Sequence, residues 1–307
     1  MELIGWPTPA DAEMKVSGER VHAGMKRPRL SPLRYPGGKS GLYSFIRDLI
    51  RINGLSNGTY VEPYAGGAGA ALGLLITGEV ERVVINDLDQ AVFAFWQAAV
   101  RENASFCRMV TDCKVSVAEW ERQRDAYLHA DRQDYLTLGF ATFYLNRTNR
   151  SGVLNGGPIG GHDQSGNFKI DVRFNKTTLL ERLRLIGLYA PKFSVTNADG
   201  VQTIEEFRDR SECFIYADPP YFLKAGSLYM NSFKHQDHEQ LADCLNNAAA
   251  TTKWILTYDN VAEVQHLYPQ RRRTEIAVNY SARHVIKTKE VMVFSNAIQT
   301  GGLLDLP

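Results

Sequence analysis

The segment Asp218-Pro219-Pro220-Tyr221 is the part of this sequence best suited to chemistry on an amine. It follows an apolar run at residues 213–216 that predicts a buried strand, and ligands of open α/β sheets bind where strands end. The Asp218 carboxylate and the Pro219 carbonyl can each accept one hydrogen from an exocyclic amine, which frees the nitrogen lone pair. Tyr221 offers a ring on which a purine can stack. The alternative interpretation is a rigid loop with a surface carboxylate.

A glycine-rich turn is the second feature whose residues could bind a ligand. Glu62-Pro63-Tyr64-Ala65-Gly66-Gly67-Ala68-Gly69 separates a predicted strand at residues 59–62 from an apolar helix that runs through residue 76. Glycine lets the backbone approach a ligand closely, and the helix start offers free N–H groups. Asp87 closes the next predicted strand, at 82–85, where a carboxylate can accept hydrogen bonds from ribose hydroxyls. The spacing departs from a dinucleotide fingerprint, so the turn indicates another adenosine-containing ligand or a tight strand-to-helix corner.

The elements that must position these motifs form an α/β pattern. Strand, turn, helix and strand at residues 59–85 predict a βαβ unit, and further strands are predicted at 193–195, 213–216 and 253–256. Two alternating runs at 275–280 and 290–294 predict an antiparallel pair. Residues 98–146 have helical spacing, followed by a Gly- and Asn-rich loop at 147–167 and a short strand around 168–172. We therefore expect one α/β core with a mostly helical insertion at about 98–190.

Composition excludes several classes of protein. The chain has 307 residues, of which 44% are hydrophobic and 22% charged, a composition typical of soluble globular proteins. No apolar run approaches the roughly 20 residues of a membrane span, and the first 30 residues lack the apolar stretch of a signal peptide. The four cysteines form no C-x-x-C pair, which favours reduced thiols in the cytoplasm. We identify no metal-ligand cluster, and His235 and His238 are expected on the surface of a helix.

The basic residues are grouped although the net charge is only +1. Residues 142–176 hold two acidic and five basic side chains, and residues 269–290 hold two acidic and six basic ones. The basic members are Arg147, Arg150, Lys169, Arg173, Lys176, Arg271, Arg272, Arg273, Arg283, Lys287 and Lys289. Such patches on a neutral chain are typical of a nucleic-acid enzyme, although a charge run is also compatible with a solvated face.

The order of the motifs resembles a known family. Arg34-Tyr35-Pro36-Gly37-Gly38-Lys39, the glycine turn, Asn86-Asp87 and Asp218 to Tyr221 follow one another as in Dam-like DNA adenine-N6 methyltransferases of the alpha group. The resemblance runs from about residue 30 to the end. It implies a Rossmann-like α/β core that uses S-adenosylmethionine, with a target-recognition insertion that contains a β-hairpin loop. The implied organisation is a flexible arm at 1–28, a catalytic domain at 29–97 and 191–307, and the insertion at 98–190.

The resemblance also implies roles for single residues. Asp218 and Pro219 would hold the target amine, with Pro220 and Tyr221 completing the catalytic motif. Asp87 would bind the ribose, and Asp199, or Asn197 in its place, would meet the adenine of the cofactor. The pair Tyr258-Asp259 resembles a late core motif that floors the adenine pocket. The remaining cofactor-binding residues implied in this way are Tyr35, Lys39, Glu62, Tyr64, Gly66 and Gly69.

The segment from Leu145 to Gly152 resembles the opening of the DNA-reading hairpin in this family. Arginine and asparagine side chains suit readout of guanine and adenine in the major groove. The aromatic residues Phe140, Phe143 and Tyr144, in contrast, are expected in the core of the insertion. The expected DNA contacts combine residues of this segment and Arg34 with one of the basic runs counted above: Arg34, Asn146, Arg147, Asn149, Arg150, Arg271, Arg272 and Arg273.

The favoured function is methyl transfer to N6 of an adenine flipped out of double-stranded DNA. One alternative keeps the chemistry but acts on RNA or on a glutamine side chain, where relatives more often carry asparagine in place of Asp218. Another is a DNA-binding module without catalysis, and a nicotinamide oxidoreductase is the most distant. We expect a cytoplasmic monomer that does not bind membranes, and pairing with a restriction nuclease is compatible with the sequence.

Overall fold

The structure is a computed structural model that describes residues 30–34, 39–222, 233–281 and 285–304. Within these ranges, side chains are described except at residues 39–40, 277–281 and 285–289. The predicted arm at 1–28, Tyr35 and Arg283 lie outside the described residues.

One seven-stranded sheet organises the described residues. Its strand order is β3-β2-β1-β4-β5-β7-β6; β1 to β5 are parallel, and β7 pairs antiparallel with both β5 and β6. The chain reverses its direction of strand addition between β1 and β4, which makes this pair the topological switch point of the sheet. The strands are β1 (Thr59–Glu62), β2 (Arg82–Asn86), β3 (Phe193–Thr196), β4 (Cys213–Ala217), β5 (Lys253–Asp259), β6 (Arg272–Ser281) and β7 (Val285–Phe294).

Ten α-helices are described around the sheet. They are α1 (Tyr43–Ile52), α2 (Gly69–Ile76), α3 (Gln90–Arg101), α4 (Asn103–Asp112), α5 (Val117–His129), α6 (Tyr135–Thr148), α7 (Lys176–Leu188), α8 (Gly200–Phe207), α9 (His235–Asn246) and α10 (Ala262–Leu267). Within the described ranges, no helix is both long and apolar enough to cross a membrane.

Both faces of the sheet are buried, which explains the continuous apolar runs of its central strands. Alternate strand residues enter two hydrophobic clusters: Tyr60 and Phe214 face the first, while Val61 and Ile215 face the second. Helices α1 to α7 supply the first cluster, and α8 to α10 supply the second. This architecture confirms the predicted Rossmann-like α/β core and the antiparallel pair at its end.

The helical segment shares its core with the sheet. Phe140 and Phe143 of α6 are buried, as predicted, and their rings lie 5.9 and 5.5 Å from the ring of Phe106 in α4. Phe143 also stacks on Phe95 of α3, and all four rings belong to the cluster that covers the sheet. The helices between β2 and β3 are therefore fixed on the α/β core by continuous packing.

The loop after α6 differs from the prediction. In place of a β-hairpin, its described residues form one isolated antiparallel bridge between Asn149 and Pro158, and the expected strand at 168–172 is a 3-10 turn at Ile170–Arg173. The Gln164 side chain explains the difference, because it donates to the carbonyl of Ile159 and accepts from the amide of Ile170. A side chain thereby satisfies backbone groups that a strand would have paired.

Candidate active site

Each of the five parallel strands ends at a carboxylic acid. Glu62 is the last residue of β1 and Asp259 the last of β5; Asp87, Asp199 and Asp218 follow β2, β3 and β4 within three residues. The carboxyl ends of parallel strands lie on one edge of a sheet, so these acids share that edge. Glu62 and Asp218 flank the switch point, and the charge of Asp218 adds to the rise in the pKa of Glu62. This edge therefore gathers five carboxyl groups in a protein whose net charge is +1.

The glycine turn closes against Asp87. Gly66 has φ +46°, a left-handed conformation that suits glycine, and its amide donates to Asp87 Oδ2 at 2.8 Å. The indole of Trp96 donates to the Gly66 carbonyl at 2.8 Å, so both polar groups of this residue are bonded. Asp87 Oδ1 also accepts from the Asp89 amide at 3.0 Å. The predicted ribose acid and the glycine turn are therefore in direct contact.

Burial raises the pKa of two of these acids. The pKa of Asp87 rises to about 7, mainly because its carboxyl is desolvated and secondarily because Asp89 is nearby. The pKa of Glu62 rises to about 8 for the same main reason, although its carboxyl accepts from Tyr60 Oη at 3.0 Å and from the Ala71 amide at 3.1 Å. Both side chains are thus poised to lose a proton when a cation or a hydroxyl donor binds beside them.

Asn86, the last residue of β2, fastens two loops of the site edge to its own strand. Its buried side chain donates to the carbonyls of Pro63 and Ala198, both at 2.9 Å, and its oxygen accepts from the Ala198 amide at 2.8 Å. Pro63 belongs to the glycine turn after β1, and Ala198 lies in the loop after β3. The sequence motif Asn86-Asp87 therefore combines a structural amide with an acid that contacts the glycine turn.

The loop after β3 places Asp199 and Tyr64 together. Asp199 begins α8 and accepts from the Val201 amide at 2.7 Å, while Asn197 donates to the Asp87 carbonyl at 2.7 Å. The Tyr64 ring packs over Gly200, where an added Cβ would come within 2.3 Å of it. The Tyr64 hydroxyl is buried, and the described residues offer it no hydrogen-bond partner. A polar group of a ligand would supply the missing partner.

Asp218 is held by a relay of two hydroxyls. Thr257 Oγ1 donates to Asp218 Oδ1 at 2.7 Å, so its single hydrogen is used and Tyr216 Oη, 2.9 Å away, must donate to Thr257. Pro219 is buried and Pro220 half-buried, which fixes the loop behind the carboxylate. Thr257 was not predicted as a site residue, because only the pairing of β4 with β5 brings it beside Asp218. Its signal in the sequence is a hydroxyl inside an apolar strand.

Tyr221 lies in the second hydrophobic cluster. Its side chain is buried, and its hydroxyl donates to Glu290 Oε1 at 2.5 Å. In this state the ring is not the open stacking surface that the sequence predicts, because packing covers it. Glu290, paired with Asp259 in the sheet, was also missed by sequence reasoning, since it stands on an antiparallel strand far along the chain.

His238 and Tyr258 line the floor of the catalytic loop. His238 is buried, with its Nδ1 2.7 Å from Tyr258 Oη, so the expectation of a surface histidine is wrong. The ring of Phe222, which follows the catalytic motif, lies 4.5 Å from the His238 ring, and the Phe222 amide donates to Asp259 Oδ1 at 2.9 Å. Burial lowers the pKa of His238. These contacts hold Phe222, the residue that follows the Asp218 to Tyr221 motif.

Two predicted DNA contacts have a structural role. Asn146 is buried; it accepts from the Arg34 amide at 2.7 Å and donates to the carbonyls of Arg34 and Gly152. Asn149 is also buried, and its amide bonds the Trp120 indole and the carbonyls of Val153 and Leu154. Because both amides are hydrogen-bonded within the protein, they stabilise the loop. Contact of these two side chains with DNA stays a prediction.

Arg271, Arg272 and Arg273 lie away from the site edge. Arg272 pairs with Phe294, which pairs with Ile255 near the start of β5, whereas the site lies at the end of β5. Each guanidinium donates to backbone carbonyls nearby: Arg271 to Asn246, Arg272 to Ile298 and Arg273 to Gln265. The sequence placed this basic run beside the DNA because its position along β6 was not known. The structure places it at the opposite edge.

The other predicted contacts remain near the helical segment. Arg150 is exposed in the loop after α6, and Arg34 Nη1 donates to the Asn149 carbonyl at 3.2 Å. Arg147 is half-buried and donates through Nε to the Arg173 carbonyl at 2.8 Å. Lys39 begins a 3-10 turn, and its side chain, like Tyr35, is not among the described parts.

The residues of the site edge fit a cationic ligand with hydroxyl and amino donors. The acids accept hydrogen bonds and favour positive charge, and the unpartnered Tyr64 hydroxyl offers a further polar contact. Gly69, the first residue of α2, follows a left-handed Ala68 that provides no side-chain cap, so backbone amides face the same region. S-adenosylmethionine has this combination of positive charge, ribose hydroxyls and amino group.

Two solved structures are similar to this chain over most of its length. A candidate RNA methyltransferase from Pyrococcus horikoshii is 13% identical, with 89% of this chain and 90% of that chain covered and a TM-score of 0.37. The rRNA methyltransferase AviRa from Streptomyces viridochromogenes is 14% identical, with 92% of each chain covered and a TM-score of 0.36. At these values neither likeness bears on the function. No curated protein sequence matches this chain.

The family comparison is more specific. The model of the D12 class N6 adenine-specific DNA methyltransferases matches residues 35–285, a range that holds the glycine turn, Asp87 and the Asp218 motif. This match confirms the resemblance to Dam-like adenine methyltransferases that the same motifs indicate. The chain belongs to the D12 class of N6 adenine-specific DNA methyltransferases and is an adenine-specific DNA methyltransferase.

Proposed function

We propose that this enzyme methylates N6 of adenine at a short specific sequence in double-stranded DNA, after the adenine has turned out of the helix. The observation that carries the proposal is the Asp218 carboxylate, which Thr257 orients at the switch point, beside Glu62. An adenine stacked in a duplex cannot bring its amine to the Asp218 carboxylate at the end of β4, so the base must leave the stack.

S-adenosylmethionine supplies an electrophilic methyl group on positively charged sulfur. In our proposal Asp87 accepts the ribose hydroxyls, the backbone of Gly66 and Gly69 lies along the cofactor, and Asp199 faces its adenine. Glu62 and the other acids balance the positive charge, and Tyr64 donates to a polar group of the same ligand. Tyr35 and Lys39, implied by the family motif, would complete the enclosure.

Asp218 and the Pro219 carbonyl would each accept one hydrogen from the adenine N6. Both acceptors lie on one side of the amine, so its lone pair is directed away from them and is free to act as a nucleophile. The Tyr216 and Thr257 hydroxyls keep one oxygen of Asp218 fixed by hydrogen bonds. The surplus proton on the methylated nitrogen would leave through Asp218, which is half-exposed.

The helical segment at 98–190 is proposed as the target-recognition region. Arg150 supports this assignment, since it is exposed in a loop that glycines at 152, 160 and 161 fix in left-handed conformations. A fixed loop with an exposed arginine suits readout of base edges. One chain contains all the residues assigned above, so we propose that the monomer is the active form.

The test is methyl transfer by purified protein from S-adenosylmethionine to a random-sequence duplex, with RNA of the same sequences as competitor and N6-methyladenine measured by mass spectrometry. We expect methylation of the duplex alone. Asp218→Ala should abolish transfer while cofactor affinity changes by only a few-fold, because the carboxylate contacts the amine and not the cofactor. Preferential methylation of the RNA, or an equal loss of cofactor binding in Asp218→Ala, would contradict the proposal.

A further inference from the structure

Three arginines gather where residues 30–34, the end of α6 and the 3-10 turn at Ile170–Arg173 meet. The Arg34 backbone is bonded to Asn146, Arg147 is the next residue of α6, and Arg147 in turn donates to the carbonyl of Arg173. The three positive charges are close enough to act on one another, since Arg34 and Arg173 both disfavour the charged form of Arg147. Arg182 of α7 adds a further positive charge with the same effect on Arg147. We call Arg34, Arg147 and Arg173 the arginine cluster.

The arginine cluster lacks an acidic counterpart within the part of the chain that the structure describes. Among the described residues, none of the ion pairs includes Arg34, Arg147 or Arg173. The guanidinium groups bond backbone carbonyls instead: that of Asn149 for Arg34 and that of Arg173 for Arg147. A guanidinium has five N–H donors, so carbonyl contacts of this number leave donors for a further acceptor.

The arginine cluster is rigidly held although it is electrostatically unfavourable. Asn146 clamps the Arg34 backbone from both sides, and Gly152, at φ +78°, lies so close to Arg34 that an added Cβ would be 2.6 Å from its carbonyl oxygen. Burial, followed by the neighbouring arginines, lowers the pKa of Arg147 to about 9. An anion that binds between the three arginines reduces the repulsion among their positive charges.

The surroundings indicate which anion is bound. Phe168 and Val172 are 67% and 44% exposed; Val172 directly precedes Arg173 in the 3-10 turn, and Phe168 lies two residues before that turn begins. Arg150 and Phe168 line a surface depression of about 410 Å³ in the same loop. Exposed apolar side chains beside guanidinium groups suit a nucleic acid, which offers phosphates and apolar sugar and base surfaces together. A free inorganic anion has no apolar surface that could pack against Phe168 and Val172.

We propose that Arg34, Arg147 and Arg173 form a preformed site for a backbone phosphate of the DNA substrate, with Phe168 and Val172 against the adjoining nucleotide. The proposal rests on the DNA methyltransferase function proposed above and assigns to it a specific anchoring point. The arginine cluster would fix the duplex relative to the helical segment before the target base turns toward Asp218. Its contribution is to position the duplex and is independent of the target sequence.

The cleanest variant is Arg173→Gln. The Arg173 side chain is exposed, and Arg147 bonds only the backbone carbonyl of Arg173. The substitution therefore removes a charge without removing the Arg147 hydrogen bonds. Arg147→Gln is the second variant. The matched control is Arg82→Gln, an exposed arginine at the start of β2, on the edge of the sheet opposite the site. Thermal unfolding first establishes that each variant is folded.

The experiment measures the affinity for a short labelled duplex between about 50 and 200 mM salt. Each lost phosphate contact should lower the slope of log K against log salt by about 0.9, so we expect that change in both cluster variants and none in Arg82→Gln. A second measurement compares thermal stabilisation by inorganic phosphate with that by chloride at equal ionic strength. Phosphate should stabilise the wild type more than Arg173→Gln.

An unchanged salt slope in Arg173→Gln and Arg147→Gln overturns the proposal. If phosphate stabilises the wild type specifically while the DNA slope is unchanged, the site serves a free phosphate ligand, and the assignment to DNA is again wrong. The proposed function has a separate readout, since methylation of adenine by the wild type does not depend on this comparison. If both cluster variants have a lower salt slope but the wild type methylates no DNA, the proposed function is contradicted and the phosphate site is still supported.

Discussion

Asp218 acts through neighbours as well as through its own position. Thr257 donates to its carboxylate, and Tyr216 donates to Thr257, so both hydroxyl hydrogens of the relay point toward the acid. The relay also links β4 to β5, the two strands whose ends form one side of the site. A carboxylate that must accept one hydrogen of an amine depends on this orientation, because misplacement by about 1 Å costs much of the rate.

Replacing Thr257 by valine should lower kcat by about 10- to 100-fold, a typical effect of losing a supporting hydrogen bond. Valine matches the shape of threonine but cannot donate to Asp218. Steady-state methylation of duplex DNA measures kcat, and calorimetry should give an unchanged Kd for S-adenosylmethionine. Thr257→Ser restores the hydroxyl and should restore most of the rate. A Thr257→Ser enzyme as slow as Thr257→Val would show that packing and not the hydroxyl matters.

Asp87 and Glu62 predict how cofactor binding depends on pH. Burial raises the pKa of Asp87 to about 7 and that of Glu62 to about 8, above their values in the unfolded chain. For the ligand-free protein, the stability contributed by these neutral carboxyls is complete below about pH 4 and is lost as pH rises through 7 and 8. A cationic ligand reverses this preference, because it favours the ionised acids.

The affinity for S-adenosylmethionine should therefore rise with pH. If only ionised Asp87 accepts the ribose hydroxyls, Kd should fall about tenfold from one unit below its pKa of about 7 to one unit above. Titration calorimetry in buffers of different ionisation enthalpy should also detect proton release. Asp87→Asn should bind more weakly and with a flatter pH profile. A wild-type Kd independent of pH in this range would argue against an Asp87 contact.

At single positions, the sequence predicts the acids at the strand ends better than the side chains that are hydrogen-bonded to the catalytic motif. Asp87 and Asp218 follow apolar strands, a pattern visible in a single sequence. Thr257 and Glu290 become site residues only through strand pairing across the sheet, which no local pattern specifies. Asparagine side chains are ambiguous in a sequence, since the same amide that reads a base can also bond a buried carbonyl.

At the scale of elements, Asn146 joins the start of the described chain to the helical segment. Its side chain bonds both backbone groups of Arg34, which lies 112 positions earlier in the chain, and also the Gly152 carbonyl. The segment before the first helix thereby becomes part of the surface formed by α6 and its loop. Asn149 holds the following loop in the same manner through Trp120.

Asn146→Ala should reduce the free energy of unfolding by about 1–3 kcal/mol, because it leaves buried backbone groups without partners. Urea denaturation measures the loss. Asn167→Ala, at an exposed position of the same loop region, is the control and should be within about 0.5 kcal/mol of the wild type. Equal stability of Asn146→Ala and the control would show that the clamp contributes nothing measurable.

Strand positions were predictable because the parallel strands are buried on both faces and read as apolar runs. The loop after α6 was not, because Gln164 replaces strand pairing with side-chain hydrogen bonds. The spacing of hydrophobic residues carries no information about a side chain that bonds the backbone in place of a neighbouring strand. The helices at 98–148 were predicted as a set, but their continuity with the sheet core depends on tertiary packing between Phe95, Phe106 and Phe143.

At the scale of the whole molecule, the basic residues near the end of the chain divide between the two edges of the sheet. Arg271 to Arg273 lie at the edge opposite the site. From the pairing of Ile276 with Glu290, β6 and β7 continue past the end of β5 as a ribbon of about 17 Å, which carries Lys287 and Lys289 on the site side. Counting charges along the sequence cannot separate these two groups.

Arg273→Gln should leave DNA affinity and its salt dependence unchanged, whereas Arg150→Gln should lower the salt slope by about 0.9. Each substitution removes one positive charge, so a difference between the two variants reports the position of the arginine relative to the DNA. Fluorescence anisotropy with one labelled duplex measures both. A weaker and less salt-dependent complex for Arg273→Gln would place DNA at the edge where Arg273 lies and contradict the proposed orientation of the duplex.

The most direct measurement is long-read sequencing of plasmid DNA from a methylation-deficient host that expresses this enzyme, beside the same host expressing Asp218→Ala. We expect N6-methyladenine at one recurring short motif with the wild type and none with the variant. Absence of modified adenine in the plasmid, with folded protein that binds S-adenosylmethionine, would contradict methyl transfer to double-stranded DNA as the function of this site.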